Sequence, residues 1–372
     1  MIKSYKVKLE PNNKQWTLLN SFAGTARWAY NWALGRQQEN YKSGGQFLSD
    51  GDLRKELTLL KKTEEYKWLY EISNNVTKQA VKDACDAYIS FFKKKSEFPR
   101  FKSKKKSKPA FYHDNVKLKV TEAHAQLEKI GKVRLAEESR IPIGKYSNPR
   151  ITFDGIIWNI SVGVETETEI QELSGSIGID LGIKDLAITN DGTTFKNINK
   201  SNKVKKLEKK KKRLQKRLSN KYIKNKKGES YVKTKNIIKL EKGLRKISRK
   251  IANIRTDYIH KTTTTLVKTK PARIVIENLN VSGMLKNKKL SKAIQEQTFR
   301  EFRRQIEYKT KWNGIELVVA DRFYPSSKTC SECGYVNKNL KLSHRVYKCP
   351  CCGFEIDRDV NAAINLANYK SA

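Results

Sequence analysis

Apolar and polar residues alternate over positions 3 to 9, the period of a half-buried strand, and Pro11 closes the run. From about 12 to 97 the period becomes helical. Leu19, Phe22, Ala26, Ala29 and Ala33 step by 3, 4, 3 and 4, which lines up one face of a helix, with Trp28, Tyr30 and Trp32 adding bulk around it. After a turn at Gly44 and Gly45, a second stripe runs through Val81, Ala84, Cys85, Ala87 and Tyr88, and Cys85 reads there as a small core residue. Between 115 and 165, short alternating runs such as VKLKV, GKVRL, RITFD and IIWNISVGV are parted by Gly, Pro and Asn. They predict an antiparallel β module, which the first strand joins with the helices as an insertion.

Past Gly175, SIGIDLGI, LAITNDG and TTFKNI read as three strands joined by short turns. Two long helices follow. Leu240, Leu244, Ile247, Ile251, Ile254 and Tyr258 form a seam in the second, Leu207, Leu214 and Leu218 match it in the first, and NKYIKNKKGES connects them. ARIVIENL then reads as a strand, SKAIQEQTFREFRRQIEYKTKWNG as a helix, GIELVVADRF as a strand and DVNAAINLANY as a short helix beyond a cysteine cluster. Three hairpin-linked strands followed by helices, strand, helix, strand and helix is the order of a ribonuclease-H-like domain. The expected class is therefore α+β and multidomain. A β module spans 1–10 and 98–172, a helical module 11–97, a nuclease-type domain 173–327 and 354–372 with a helical hairpin at 198–270, and a zinc ribbon 328–353.

Composition adds a partner. Lys and Arg number 78 against 38 Asp and Glu, a net charge of +40, while 38% hydrophobic and 9% aromatic residues exclude a disordered basic tail. A folded chain of that charge implies a polyanion, and nucleic acid is the expected one. No run is long and apolar enough for a membrane span, MIKSYKVKLE is not a signal peptide, and the crowding of five of six cysteines into 330–352 suits a reducing cytoplasm. Residues 200–250 hold 23 Lys and Arg against three Glu, half the net charge, so Lys209, Lys210, Lys212, Arg213, Lys216 and Arg217 are candidate phosphate contacts. A second candidate stretch, EFPRFKSKKKSKPAF at 97–111, interleaves Arg100, Lys102, Lys104, Lys105 and Lys106 with phenylalanines; its competing reading is a solvated linker.

Asp180 lies among apolar residues in SIGIDLGI, Glu277 ends ARIVIE, and Asp359 sits at the start of the final helix, where an N-terminal acid also has a purely structural use. In a ribonuclease-H-like sheet these three places converge. Three packed carboxylates need a cation, and an oxygen-only set favours Mg²⁺ or Mn²⁺, two of which suit phosphodiester hydrolysis. Asp185, Asp357 and above all Asp321, which also ends a strand, are rivals. The cysteines are more specific. Cys330 and Cys333, then Cys349 and Cys352, stand with 15 residues between the inner pair, the spacing of a closed structural Zn²⁺ site. Cys351 falls outside it, and disulfides are the alternative.

GIDLGIKDLAIT, IVIENLNVSGM, YPSSKTCSECG through CPCCG, and DRDVNAAINL together resemble the transposon-encoded TnpB proteins, compact relatives of the type V CRISPR effectors. The likeness extends over nearly the whole chain and is most specific from 175 onward. It implies that the N-terminal modules are a recognition domain and a wedge (OB-like) domain, and that Asp180, Glu277 and Asp359 are the acids of a RuvC-like nuclease, Asp359 being preferred to Asp357 because it directly precedes VNAA. It further implies a guide RNA from the transposon end, cutting of guide-complementary double-stranded DNA beside a short target-adjacent motif, and no small-molecule substrate. The alternatives are a transposase of the same fold that joins strands, and a guided DNA-binding regulator, against which the intact acids argue.

Overall fold

The computed structural model describes residues 1–167, 172–228, 230–341 and 343–370. The chain divides into two compact units, Met1–Glu167 and Thr168–Ala372. The boundary expected at 172/173 abuts residues 168–171, and the expected nuclease segment ends on 371 and 372; both stretches lie outside the described residues.

In the first unit, strand β1 (Ile2–Glu10) is followed by helices α1 (Asn13–Lys42), α2 (Asp50–Leu60) and α3 (Asn74–Phe92), with a 3₁₀ stretch at Glu64–Glu71. Six strands follow: β2 (Ala110–Tyr112), β3 (Lys119–Val120), β4 (His124–Leu127), β5 (Gly131–Leu135), β6 (Tyr146–Phe153) and β7 (Trp158–Glu165). The sheet order is β2-β6-β7-β1-β5-β4-β3, so β1 lies between β7 and β5 and the helices are an insertion after the first strand. Asn12 caps α1 reciprocally with Gln15, and the stripe Leu19, Phe22, Ala26, Ala29, Ala33 is buried in one core with Val7, Phe111 and Trp158 of the sheet. Cys85 is buried in the same core, where burial raises its thiol pKa.

The second unit carries a five-stranded sheet built from β8 (Ser176–Leu181), β9 (Asp185–Thr189), β10 (Thr194–Lys196), β13 (Arg273–Ile276) and β14 (Glu316–Val319), in the order β10-β9-β8-β13-β14. β8, β13 and β14 are parallel, whereas β9 and β10 return antiparallel through tight turns. Between β10 and β13 come helix α4 (Asn202–Lys224), a small ribbon of β11 (Lys226–Lys227) and β12 (Ser230–Tyr231), and helix α5 (Lys235–Lys268). Glu208 meets Arg255, Leu214 faces Gly243 and Tyr222 bonds Glu241, the sequence of contacts of an antiparallel pair. The seam residues are mostly half-buried; Ile251 alone among them is enclosed.

After β13 come α6 (Val281–Met284), α7 (Ser291–Gln297) and α8 (Phe299–Trp312). Helix α8 is tied to α5 by the buried Lys309, whose Nζ donates to the His260 carbonyl at 2.8 Å and to the Thr263 and Thr264 hydroxyls at 2.6 and 2.8 Å. Burial lowers the Lys309 pKa to about 8. The hairpin β15 (Val346–Lys348) with β16 (Glu355–Asp357) then leads into α9 (Arg358–Ala367).

Helix α9 lies backbone against backbone on β8. A Cβ at Gly178 would stand 2.0 Å from the Ala363 carbonyl oxygen and 2.3 Å from the Ala367 nitrogen, so only glycine admits the helix. The Ser176 hydroxyl and the Arg273 guanidinium both donate to the Ala367 carbonyl, pinning the far end of α9 to β8 and β13. Gly178→Ala is expected to destabilise the second unit by about 1–3 kcal/mol or more, the cost of overpacking against backbone that cannot move aside. In contrast, Gly24→Ala in α1, where a Cβ meets nothing within 4 Å, should be neutral or stabilise by about 0.5–1 kcal/mol. Denaturant unfolding with amide exchange, read in α9 for the first variant and in α1 for the second, measures both, and equal effects would refute the close-approach account.

Candidate functional site

Asp180 is the fifth residue of β8, and Glu277 follows the last residue of β13. The two strands are parallel, with Ile179 opposite Ile276, so the next residues, Asp180 and Glu277, are neighbours on adjacent strands. Their side chains therefore leave the same face of the sheet roughly 5 Å apart along the pairing direction. Helix α9 brings Asp359 to that face. Its first turn is formed by Asp357, whose carboxylate accepts from the Asp359 and Val360 N–H groups as an N-cap, so the acid two residues earlier has a structural task.

The electrostatics register this convergence. Burial pushes the Asp180 carboxyl well above the ordinary range, and the negative charges of Glu277 and Asp359 push it further. Glu277 is also raised, first by burial, against the hydrogen bond donated by the Ser326 hydroxyl at 2.9 Å and with Asp359 adding to the rise. The Arg358 guanidinium donates to Asp359 Oδ1 at 2.9 and 3.2 Å, and Arg345 stands 3.9 Å from its other oxygen. Asp321, the strongest rival, is exposed and accepts from the N–H of Phe323 in its own turn. Asp185 opens β9, away from the residues that perturb Asp180.

Among the described residues, Cys330, Cys333, Cys349 and Cys352 are the one group of potential ligands whose atoms all come within 4.8 Å of one another. The cysteine sulfurs lie 3.5 Å apart for Cys333 and Cys349 and 3.7 Å for Cys330 and Cys352. A tetrahedral ion with Zn–S bonds of about 2.3 Å needs sulfur separations of about 3.8 Å, close to these two distances, so the set suits a Zn²⁺ site. Each pair sits on a tight turn in which the glycine N–H donates to the first cysteine's carbonyl at 3.0 Å, with Gly334 and Gly353 both at φ 75°. Although burial opposes it, the N–H groups of Cys352 and Cys351 aimed at Cys349 hold its thiol down to about 6, in favour of the thiolate a metal binds. Cys351 is exposed and outside the set.

The ribbon is coupled to the acids by residues that the sequence pattern did not single out. Asn361 and Asn365 are buried on α9. Asn361 accepts from the Ser331 N–H and donates to the Thr329 carbonyl, while Asn365 donates to the carbonyls of Ser326 and Thr329 at 2.7 Å. Ser326 in turn holds Glu277. The expected apolar stripe of Val360, Ala363, Ile364 and Ala367 is thus only part of the covered surface, because α9 packs on β8 by one side and bonds to the ribbon by another. Two amides four residues apart on a short apolar helix were the available signal.

The expected phosphate contacts divide. Lys209, Lys210, Lys212, Arg213, Lys216 and Arg217 are all exposed on α4, and no carboxylate pairs with them among the described residues. Lys104, Lys105 and Lys106 are exposed in a turn. Arg100 is exposed but paired with Glu97 at 2.8 Å. Lys102 turns inward, its ammonium 3.4 Å over the Tyr30 ring.

Removing zinc with a chelator, or making Cys330→Ser, is expected to raise amide exchange of α9 at least about tenfold, while α1 to α3 keep theirs; unchanged exchange in α9 would show that ribbon and acids are uncoupled. Without divalent cations, Asp180→Asn should raise the melting temperature of the second unit, by about 2–4 °C for each kcal/mol of repulsion and desolvation relieved. Mg²⁺ should then stabilise the unsubstituted chain more than the variant, and the opposite order would sink the convergence reading.

Three family models match: a probable transposase over 159–288, a Cas12f1-like TNB domain over 299–366, and a helix-turn-helix domain over 1–46, although those last residues form one strand and one long helix. A putative RNA-guided DNA endonuclease, InsQ of Escherichia coli (strain K12), is 34% identical, with 98% of this chain and 91% of the relative covered. Another from Streptomyces pristinaespiralis is 33% identical over 98% and 88%. The structure of the mini RNA-guided endonuclease CRISPR-Cas_phi3 matches with a TM-score of 0.50 at 10% identity over 99% of this chain and 92% of that one, a likeness of fold. Relatives matched along nearly their whole length, and family models that between them cover the sheet and ribbon segments, agree with the motifs around Asp180, Glu277 and the cysteines: the chain belongs to the transposon-encoded TnpB family of Cas12f-like nucleases.

Proposed function

We propose that this protein is an RNA-guided DNA endonuclease that hydrolyses phosphodiester bonds of guide-complementary DNA beside a short target-adjacent motif. The observation that carries the reading is the convergence of Asp180, Glu277 and Asp359 on one face of the sheet, where the half-buried Asp180 and Glu277 are held above their ordinary pKa by desolvation and by neighbouring acids. The strand order, with three parallel strands and an antiparallel hairpin beside the first, supports an RNase H-like (RuvC) domain, and the relatives named as RNA-guided DNA endonucleases support the guide.

The three carboxylates would hold two divalent cations, Mg²⁺ or Mn²⁺, which supply an activated water and stabilise the leaving oxygen of the phosphodiester. Asp180 and Glu277 would hold the ions from adjacent strands, with Ser326 bonded to one Glu277 oxygen and the other left free to ligate. Asp359 would complete the set from α9, its charge meanwhile balanced by the Arg358 and Arg345 guanidinia. The unpaired basic face of α4 grips phosphates without reading bases, as suits a protein that leaves sequence recognition to a guide.

The Asp180→Ala chain, purified with its RNA, should bind guide-matched duplex nearly as well as the unsubstituted protein and cut it at least about a hundredfold more slowly. Sequencing of the co-purified RNA should return a discrete species ending in sequence from beside the gene. Undiminished cutting by the variant would remove Asp180 from the reaction, random cellular RNA would remove the guide, and joined transposon-end products would mark a transposase instead.

A further inference from the structure

Helices α1 and α3 of the first unit leave an open cleft of about 820 Å³ between the C-terminal end of one and that of the other. Its walls are rings: Tyr41, Phe47, Tyr88, Phe91, Phe92 and Phe98. Tyr88 and Phe92 lie 6.1 Å apart at 26°, Phe47 meets Phe92 edge-on at 5.9 Å, and Phe98 meets Tyr88 edge-on at 5.6 Å. Four of these side chains are exposed, Tyr41 by 78% and Phe92 by 57%, and so many rings open to solvent in one place mark a binding surface. The volume falls within the range of about 300–1,000 Å³ usual for ligand sites.

One cation, Lys42, lines the cleft, and three more, Lys93, Lys94 and Lys95, directly follow its Phe92 in the chain; all four are exposed, and none has a carboxylate partner among the described residues. The nearest acids in sequence are already engaged, Glu39 by Arg36 and Glu97 by Arg100. Apolar rings edged by free ammonium groups match a strand that presents phosphates beside exposed base faces. They do not match a second copy of this chain, which would bring an identical positive rim and a further +40 to the contact. In a duplex the base faces are stacked and withheld.

We infer that this aromatic cleft is a binding site for unpaired nucleobases of a single-stranded nucleic acid segment, with the bases against Tyr88, Phe92 and Phe98 and their phosphates along Lys42 and Lys93–Lys95. The inference concerns binding in the first unit and stands independently of whether the acids of the second unit cut.

The test is photocrosslinking of the full, zinc-containing chain to short oligonucleotides carrying 5-iodouracil, one as RNA and one as DNA, in excess unlabelled duplex. Crosslinks should map by mass spectrometry to the peptides bearing Tyr41, Tyr88, Phe92 and Phe98. Phe92→Leu with Phe98→Leu keeps the apolar volume but removes two faces, and should weaken single-strand binding roughly five- to 150-fold, the equivalent of one base stack, with duplex binding unchanged. Lys93→Gln with Lys94→Gln should instead lower the salt slope by about 0.7 for each phosphate no longer neutralised. Labelling of both oligonucleotides, or of one, supports the site and assigns its source. Crosslinks confined to other segments, an unaltered affinity in the double leucine variant, or a dimer of the chain that this variant dissolves would overturn it.

Discussion

The second unit depends on one close approach: the backbone of α9 resting directly on β8 at Gly178. A side chain there would hold helix and strand apart, and Asp359 would be carried away from Asp180. The same contact covers part of the sheet face around the acids, which raises the cost of charge on Asp180 and Glu277. Packing and electrostatics are therefore one constraint, since the arrangement that buries the helix is the one that makes the carboxylates repel.

The zinc ribbon extends that constraint outward. Four thiolates fold a segment too short for a core of its own, and the buried amides of Asn361 and Asn365 carry the ribbon's position into α9, while Ser326 carries it to Glu277. The basic hairpin joins the core at a second buried polar knot, where Lys309 on α8 satisfies a carbonyl and two hydroxyls of α5. The excess positive charge and the three converging acids thus occupy separate elements of the second unit.

Much of this was legible in the sequence. Cysteine spacing names its own ligands because a tetrahedral site needs two knuckles, and acids within strands of Val and Ile stand out because burial penalises them. The strand at 3–9 and the helical stripe of α1 follow from period alone, whereas the place of β1 between β7 and β5 was only suggested by its position before the helices. Less legible were features that depend on a third partner. The amides of α9 look like surface residues until the ribbon covers them, Asp357 and Asp359 differ only by which one the helix start consumes, and Lys102 reads as a phosphate ligand until Tyr30 claims it. The cleft between α1 and α3 was likewise invisible, because its rings come from segments that read separately as helix stripe, turn and linker.

The β8 to α9 contact joins residues 178 and 363, a separation of 363 − 178 = 185 positions. Closing a loop of that length costs about 4–5 kcal/mol beyond the constant term, before any packing is gained. The α4–α5 hairpin and the cysteine knuckles close over far fewer residues, so seating α9 on β8, the contact that carries Asp359 toward Asp180, bears the larger entropic cost of closure.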